Sequence, residues 1–305
     1  MNDKTVSAFA SAGMLFTAAI WGFAFVVVKD SLDTVPPIYM LAFRFTIAAA
    51  ALALIFHGKL VLLDAAYLAH GALLGFFLFT AYAFQTVGCM YTTAGKNAFL
   101  TTIYVVLVPL IGWVLTKRRP DAYVFAAAVL AVTGIGLLSL QDDFSVNKGD
   151  VLTLICGVGY AVHIIFIARY NATQDAVLLT VLQLFFAAVF SWMLAPLMDG
   201  GFPAAALRNG KTVASMLYLG VFSTMIAFLL QNVCQKYTLP SVAALFLSME
   251  SVFGVFFSCV FLGEVLTVRM VSGCVLLFTA IILAETKFSF IANPLRRLVH
   301  RLFRR

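Results

Sequence analysis

The chain has 305 residues, of which 63% are hydrophobic and only 11% charged, and its mean hydropathy is +1.03. Soluble domains average about 45–50% apolar and about 25% charged residues, so a water-soluble fold is excluded. The formal net charge of +7 sits in short clusters. These separate apolar stretches of about 20 residues, the length a helix needs to cross a ~30 Å hydrocarbon core.

Boundaries set by proline, glycine and charge predict ten spans, at residues 11–31, 36–56, 67–88, 97–116, 121–139, 150–168, 176–197, 213–233, 242–262 and 269–286. The longest connection, 198–212, leaves no room for a soluble catalytic domain. The first span follows a single lysine and lacks an Ala-x-Ala exit, so no cleaved signal peptide is expected. Cys89, Cys156, Cys234, Cys259 and Cys274 lie in or beside apolar spans with no ligand or disulfide-framework spacing. Gly22, Gly75, Gly88, Gly112, Gly134, Gly136, Gly157, Gly159, Gly254 and Gly273 read as close-contact points between helices. With no P-loop pattern, ATP is not the expected energy source. No metal, cofactor or nucleic acid is expected.

The last segment, 291–305, places Leu295, Leu298, Val299, Leu302 and Phe303 at helical spacing among Arg296, Arg297, Arg301, Arg304 and Arg305. It reads as a basic amphipathic helix whose partners are anionic lipid headgroups. A disordered charged tail that only fixes topology is the alternative. With the amino terminus in the cytoplasm, thirteen basic residues face inward and six outward, so the positive-inside rule places both termini in the cytoplasm.

A shift of 146 residues lays 81–98 over 227–244 without a gap, matching Ala81, Gln85, Val87, Tyr91, Thr92 and Ala98 to identical residues. A shift of 139, seven fewer because of the longer seventh connection, brings Trp21 onto Tyr160, Arg44 onto Gln183, and Ala48 and Ala49 onto Ala187 and Ala188. The chain thus divides into two five-helix repeats, 1–145 and 146–290, followed by the tail. Five is odd, so the second repeat enters from the opposite side. Such inverted repeats are common in secondary transporters and imply a central site between the halves.

Several motifs in order carry a family resemblance. They are Trp21-Gly22-Phe23-Ala24-Phe25 with Lys29, then Tyr91-Thr92-Thr93-Ala94, Ala98-Phe99-Leu100 and Val108-Pro109, and finally Glu250-Ser251-Val252-Phe253 with Leu262-Gly263-Glu264-Val265-Leu266-Thr267. Over about 16–285 the chain resembles the EamA branch of the drug/metabolite transporter superfamily. The resemblance implies ten spans, a bacterial inner membrane, cytoplasmic termini, a cavity alternately open to each side, and export or exchange of amino acids or related metabolites. Many relatives have Glu-Pro where this chain has Glu250-Ser251, so a weaker kink is expected in that helix.

Ionisable groups inside a span cost about 2.5–3.5 kcal/mol on insertion scales and each needs a reason to be there. Arg44 and Glu250 each lie eight residues inside a span, at depths that differ by about 6 Å in a ~30 Å core. They form a candidate coupling pair, whose charge a proton or substrate would replace. Alternatively, Arg44 snorkels and a protonated Glu250 bridges helices. His163 takes the place of Ala24 under the 139-residue shift and is either a cavity group or a packing residue. Trp21, Phe25, Tyr82, Tyr104 and Tyr160 are candidates to stack on a substrate, and Gln85, Gln183 and Gln231 to hydrogen-bond it. For the aromatics, packing between helices is the competing explanation. Lys96 is expected to snorkel and Glu264 to cap a turn.

The expected function is secondary active transport of a small polar metabolite. A non-transporting scaffold and an intramembrane enzyme are the rivals. The enzyme is disfavoured because no Gly-x-Ser-x-Gly, His-Glu-x-x-His or paired intramembrane aspartates occur. An inverted repeat favours a carrier over a scaffold.

Overall fold

A computed structural model describes residues 3–117, 119, 122–139, 147–265 and 267–286; the expected tail helix at 291–305 lies outside them. The described chain forms helices without strands: α1 (Asp3–Ser31), α2 (Pro37–Ile55), α3 (Ala65–Met90), α4 (Ala94–Thr101), α5 (Tyr104–Thr116), α6 (Ala122–Ser139), α7 (Lys148–Asn171), α8 (Ala176–Met198), α9 (Gly210–Leu217), α10 (Ala227–Gln235), α11 (Pro240–Leu247), α12 (Met249–Leu262) and α13 (Val268–Thr286). A π-helical segment, Tyr218–Ile226, joins α9 to α10. Eight described stretches are long and apolar enough to cross a membrane, and α4–α5, α9–α10 and α11–α12 each form one of them. Two shorter apolar helices, Ala122–Gly134 and Val271–Ala280, stand where the fifth and tenth spans are expected.

The helix starts follow local chemistry. Asp64, Thr93 and Asp175 accept hydrogen bonds from first-turn backbone N–H groups of α3, α4 and α8, and Asn147 with Asp150 forms a capping box on α7. Helix α2 opens with Pro36-Pro37 and has no cap of its own. Asp199, at the end of α8, supplies one: Oδ2 accepts from Ile38 N at 2.7 Å and Tyr39 N at 2.9 Å. At the far end, Asp175 holds Lys59 at 2.6 Å. Burial pushes the Asp175 carboxyl up, but Lys59 and the backbone N–H groups of Leu178 and Val177 outweigh it and hold the group below its ordinary pKa.

These contacts fix direction. The start of α2 meets the end of α8 through Asp199 and Tyr39 Oη–Gly200 O, its middle meets Trp192 through Thr46, and the turn after it meets Asp175. The two second helices of the repeats therefore run antiparallel, as an inverted repeat requires. The other packing follows the same relation. Helix α3 packs on α7 as α1 does on α10, α1 on α12 as α7 on α4 and α5, and α6 on α13, its own counterpart.

The broken helices repeat as well. Between α4 and α5, Thr102 Oγ1 donates to Phe99 O at 2.7 Å; between α11 and α12, Ser248 Oγ donates to Leu245 O at 2.7 Å, each residue 146 after its counterpart. A hydroxyl that bonds a carbonyl one turn back frees the helix to bend. Ser251 Oγ also bonds Ser248 O. Where many relatives are expected to have a proline, the Ser248 and Ser251 hydroxyls bond the carbonyls of Leu245 and Ser248 at this break. Both broken helices end in left-handed residues, Lys117 (φ 56°) and Gly263 (φ 68°), again 146 apart.

Of the glycines read as contact points, Gly22 is one whose Cβ would meet both a side chain and the backbone of a single facing helix, α12, below 3.0 Å. A Cβ there would lie 2.4 Å from Phe253 Cβ and 2.8 Å from Gly254 N, so α1 and α12 touch backbone to backbone. Gly112 and Gly136 have nothing within 4 Å and are not contact points. Gly22→Leu is expected to lower stability by about 1–3 kcal/mol through overpacking while Gly112→Leu is neutral, as read by thermal unfolding in detergent. Equal melting of the two variants contradicts the α1–α12 packing. Lys117→Gly is expected to gain about 1 kcal/mol in the same assay by relieving the left-handed Cβ.

Candidate functional site

A cavity lies between the repeats. Its wall repeats the internal relation. Trp21 and Tyr160, Ala24 and His163, and Phe25 and Ile164 are counterparts at 139; Tyr82 and Phe228, Gln85 and Gln231, and Tyr104 and Glu250 are counterparts at 146. Twelve of the eighteen lining residues thus form six pairs around a pseudo-two-fold axis.

The axis is marked by a hydrogen bond. Tyr104 Oη donates to Glu250 Oε1 at 2.9 Å, joining two residues one repeat apart. Such a contact between counterparts places both beside the axis. The kinks at Thr102 and Ser248, two residues earlier, aim both side chains inward.

Arg44 is 1% exposed. Its Nε donates to Thr224 Oγ1 at 2.9 Å and its Nη2 to Ser223 Oγ at 2.8 Å, while Cζ lies 4.5 Å from the Tyr82 ring centroid. Both hydroxyls come from the π-helical segment. The expected Arg44–Glu250 ion pair does not form among the described residues. Two hydroxyls and an aromatic face satisfy the guanidinium instead, and Glu250 turns to Tyr104.

The remaining walls are cross-braced. Trp21 Nε1 donates to Ser223 O at 2.8 Å, and its ring lies 5.1 Å from Phe228. Tyr160 Oη donates to Gln85 Oε1 at 3.1 Å, and Gln85 Nε2 to Thr101 Oγ1 at 3.1 Å. His163 Nε2 lies 2.9 Å from Gln183 Oε1, leaving Nδ1 without a partner. Gln231 Oε1 is likewise buried and unpartnered.

Ten of the eleven residues expected at the site line the cavity: Trp21, Phe25, Arg44, Tyr82, Gln85, Tyr104, Tyr160, His163, Gln231 and Glu250. Gln183 does not; it stands behind the wall and orients His163. Of the eight other lining residues, three carry polar or aromatic contacts that the sequence reading did not assign to the site. Asn97 donates to Thr153 Oγ1 at 2.8 Å and keeps Oδ1 free, Ser223 holds Arg44, and Phe228 supports Trp21. The repeat contained a signal for Phe228, the counterpart of Tyr82. Asn97 is next to Lys96 and reads as part of a polar helix end.

Two expectations beside the cavity change. Lys96 does not snorkel: it pairs with the buried Asp150 at 2.6 Å, and Thr92 Oγ1 donates to the same carboxylate at 3.1 Å. Glu264 caps a distant helix, accepting from Ala94 N at 3.0 Å and Gly95 N at 3.3 Å at the start of α4.

Many apolar helices, antiparallel halves and a cavity of mixed polar and aromatic lining between them fit a multi-pass membrane protein. Comparison with known proteins is specific. The EamA-like transporter family matches residues 9–140 and 147–286. An uncharacterized transporter of Archaeoglobus fulgidus is 34% identical over 92% of this chain and 86% of its own length. A probable amino-acid metabolite efflux pump of Salmonella typhimurium is 25% identical over 88% of this chain and 91% of its own. One solved protein crystal structure superposes with a TM-score of 0.74 at 17% identity, covering 94% of this chain and 99% of that one, a likeness of fold. The chain belongs to the EamA-like transporter family and is a membrane transporter, not an enzyme.

Tyr104→Phe leaves Glu250 without its donor and is expected to destabilise the protein by about 1–3 kcal/mol in thermal unfolding. An unchanged melting temperature contradicts the axial bond.

Proposed function

We propose that the protein is a secondary active carrier of a small polar metabolite, an amino acid or related compound, exporting or exchanging it by alternating access. In this reading ten spans form two repeats, 1–145 and 146–290, with both termini in the cytoplasm of a cell whose inner membrane holds the protein. The tail meets anionic headgroups. The observation that carries the reading is the pairing of the lining across the axis, because a cavity whose two halves are alike presents nearly the same wall to either side when the halves rock.

The wall suits a zwitterion with an apolar body. Arg44 donates to two hydroxyls and stacks on the Tyr82 ring, and its remaining guanidinium N–H groups can donate to a substrate carboxylate. Glu250 and the free Gln231 Oε1 accept from an ammonium group. Trp21, Phe25, Tyr82, Tyr160 and Phe228 enclose the carbon skeleton. The efflux pump named for Salmonella typhimurium supports the same substrate class. When the ammonium departs, Glu250 takes a proton while keeping its bond to Tyr104, so no uncompensated charge is left buried.

Counterflow in proteoliposomes against labelled amino acids, nucleobases and cationic drugs tests the substrate class, with saturable exchange of amino acids expected. Exchange of another class alone overturns it. Glu250→Gln is expected to abolish the pH dependence of transport; if rate and pH profile both survive, the proton role is wrong. Arg44→Lys keeps the charge but loses the fork, and should weaken amino-acid exchange at least about tenfold, equivalent to about 1.4 kcal/mol. Undiminished exchange removes Arg44 from the binding site.

A further inference from the structure

The repeats meet differently at the two ends of the cavity. Toward the end of α3, which the proposed topology places outside, Cys89 and Asn97 line it. Lys96, the neighbour of Asn97 in α4, meets Asp150 of α7 at 2.6 Å, with side chains only 11% and 4% exposed. Thr92 Oγ1 donates to the same carboxylate at 3.1 Å, and Asn97 Nδ2 donates to Thr153 Oγ1 at 2.8 Å. Lys29 Nζ, donating to Cys89 O at 2.8 Å and Thr92 O at 2.7 Å, anchors the turn that carries Thr92. Backbones also come close here: a Cβ on Gly149 would lie 2.6 Å from Gly88 O. Helices α3 and α4 belong to the first repeat and α7 to the second, so this buried ion pair ties the halves together.

The repeat relation supplies the opposite end for comparison. Adding 146 carries Gly88, Lys96 and Asn97 to Cys234, Val242 and Ala243, and subtracting 139 carries Gly149, Asp150 and Thr153 to Ala10, Ser11 and Met14. Ala10, Met14, Cys234 and Ala243 are buried together in one apolar cluster. The other ion pairs among the described residues, Lys59–Asp175 and Lys211–Asp30, lie elsewhere, with every side chain at least 28% exposed, and solvent screens them. One end of the cavity is therefore held by buried charge and the other by apolar packing.

We propose that Lys96 and Asp150 form the outer gate of the carrier: their ion pair latches the two halves shut on the outer side, and the cavity opens outward when the pair parts and water takes its place. The proposal rests on the carrier reading and adds that the two gates are chemically unlike, charged outside and apolar inside. Buried ions need each other only while water is excluded; once the halves part, both are hydrated. Removing one partner therefore penalises the closed outer gate, where the other charge stays buried, and leaves the open one unaffected. Removing both partners lifts that penalty.

The test reads side-specific labelling of Ala24→Cys, a lining position, by an impermeant maleimide in right-side-out and inside-out vesicles of the cysteine-free full chain. No substrate is added, so a failed counterflow assay leaves the readout intact. Asp150→Asn is expected to speed labelling from outside at least about tenfold and to slow it from inside, because the open populations compete. Lys96→Met should act in the same direction. Combining Lys96→Met with Asp150→Asn should return both rates to within about threefold of the parent, since a buried ion pair and a neutral pair are often nearly equivalent. Unchanged labelling in both single variants overturns the proposal. So does faster labelling from both sides, which marks a bridge that holds the fold together rather than a gate.

Discussion

Within hydrocarbon no water is available to a polar group left without a partner, and this constraint accounts for most departures from plain helix in the protein. Proline opens α2 and removes its cap, so Asp199 crosses from α8 to supply one. Thr102 and Ser248 break their helices by bonding carbonyls a turn back. Arg44, deep in a span, is answered by two hydroxyls and a tyrosine face. The buried polar groups without protein partners are then informative. Those at Asn97, His163 and Gln231 face the cavity.

The same constraint acts on two copies of one helical pattern. Kinks, left-handed ends and cavity walls recur 139 or 146 residues apart, and the Tyr104–Glu250 bond joins counterparts directly. Function enters where the copies differ. Tyr104 faces a carboxylate rather than a second phenol, Ala24 has His163 as its counterpart, and Arg44 corresponds to a glutamine outside the cavity. In the proposed carrier, the symmetric frame is what would rock, and these asymmetric positions are where charge and substrate recognition would lie.

Much of this was legible in the sequence because the signals were linear. Hydropathy located the helices, a fixed shift exposed the repeat, and the shift paired Tyr104 with Glu250. Contacts set by helix rotation were not legible. The π-helical segment turns Ser223 and Thr224 toward Arg44 in a register that a 3.6-residue period does not give. Depth alone suggested that Arg44 and Glu250 pair; facing direction decides against it. Lys96 sits at a helix end, where snorkelling is the default, but its partner Asp150 lies on the next repeat's first helix, far away in sequence. Gln183 failed for the opposite reason: its polar side chain serves His163 rather than the cavity.

Alternating exposure of one cavity is the central claim, and Ala24, which lines it, reports on it directly. With the five native cysteines replaced, Ala24→Cys would be labelled with a membrane-impermeant maleimide in right-side-out and inside-out vesicles. Labelling from both sides, slowed on both by transported substrate, is the predicted result. Labelling from one side only, unaffected by substrate, would contradict a carrier that rocks about the Tyr104–Glu250 axis.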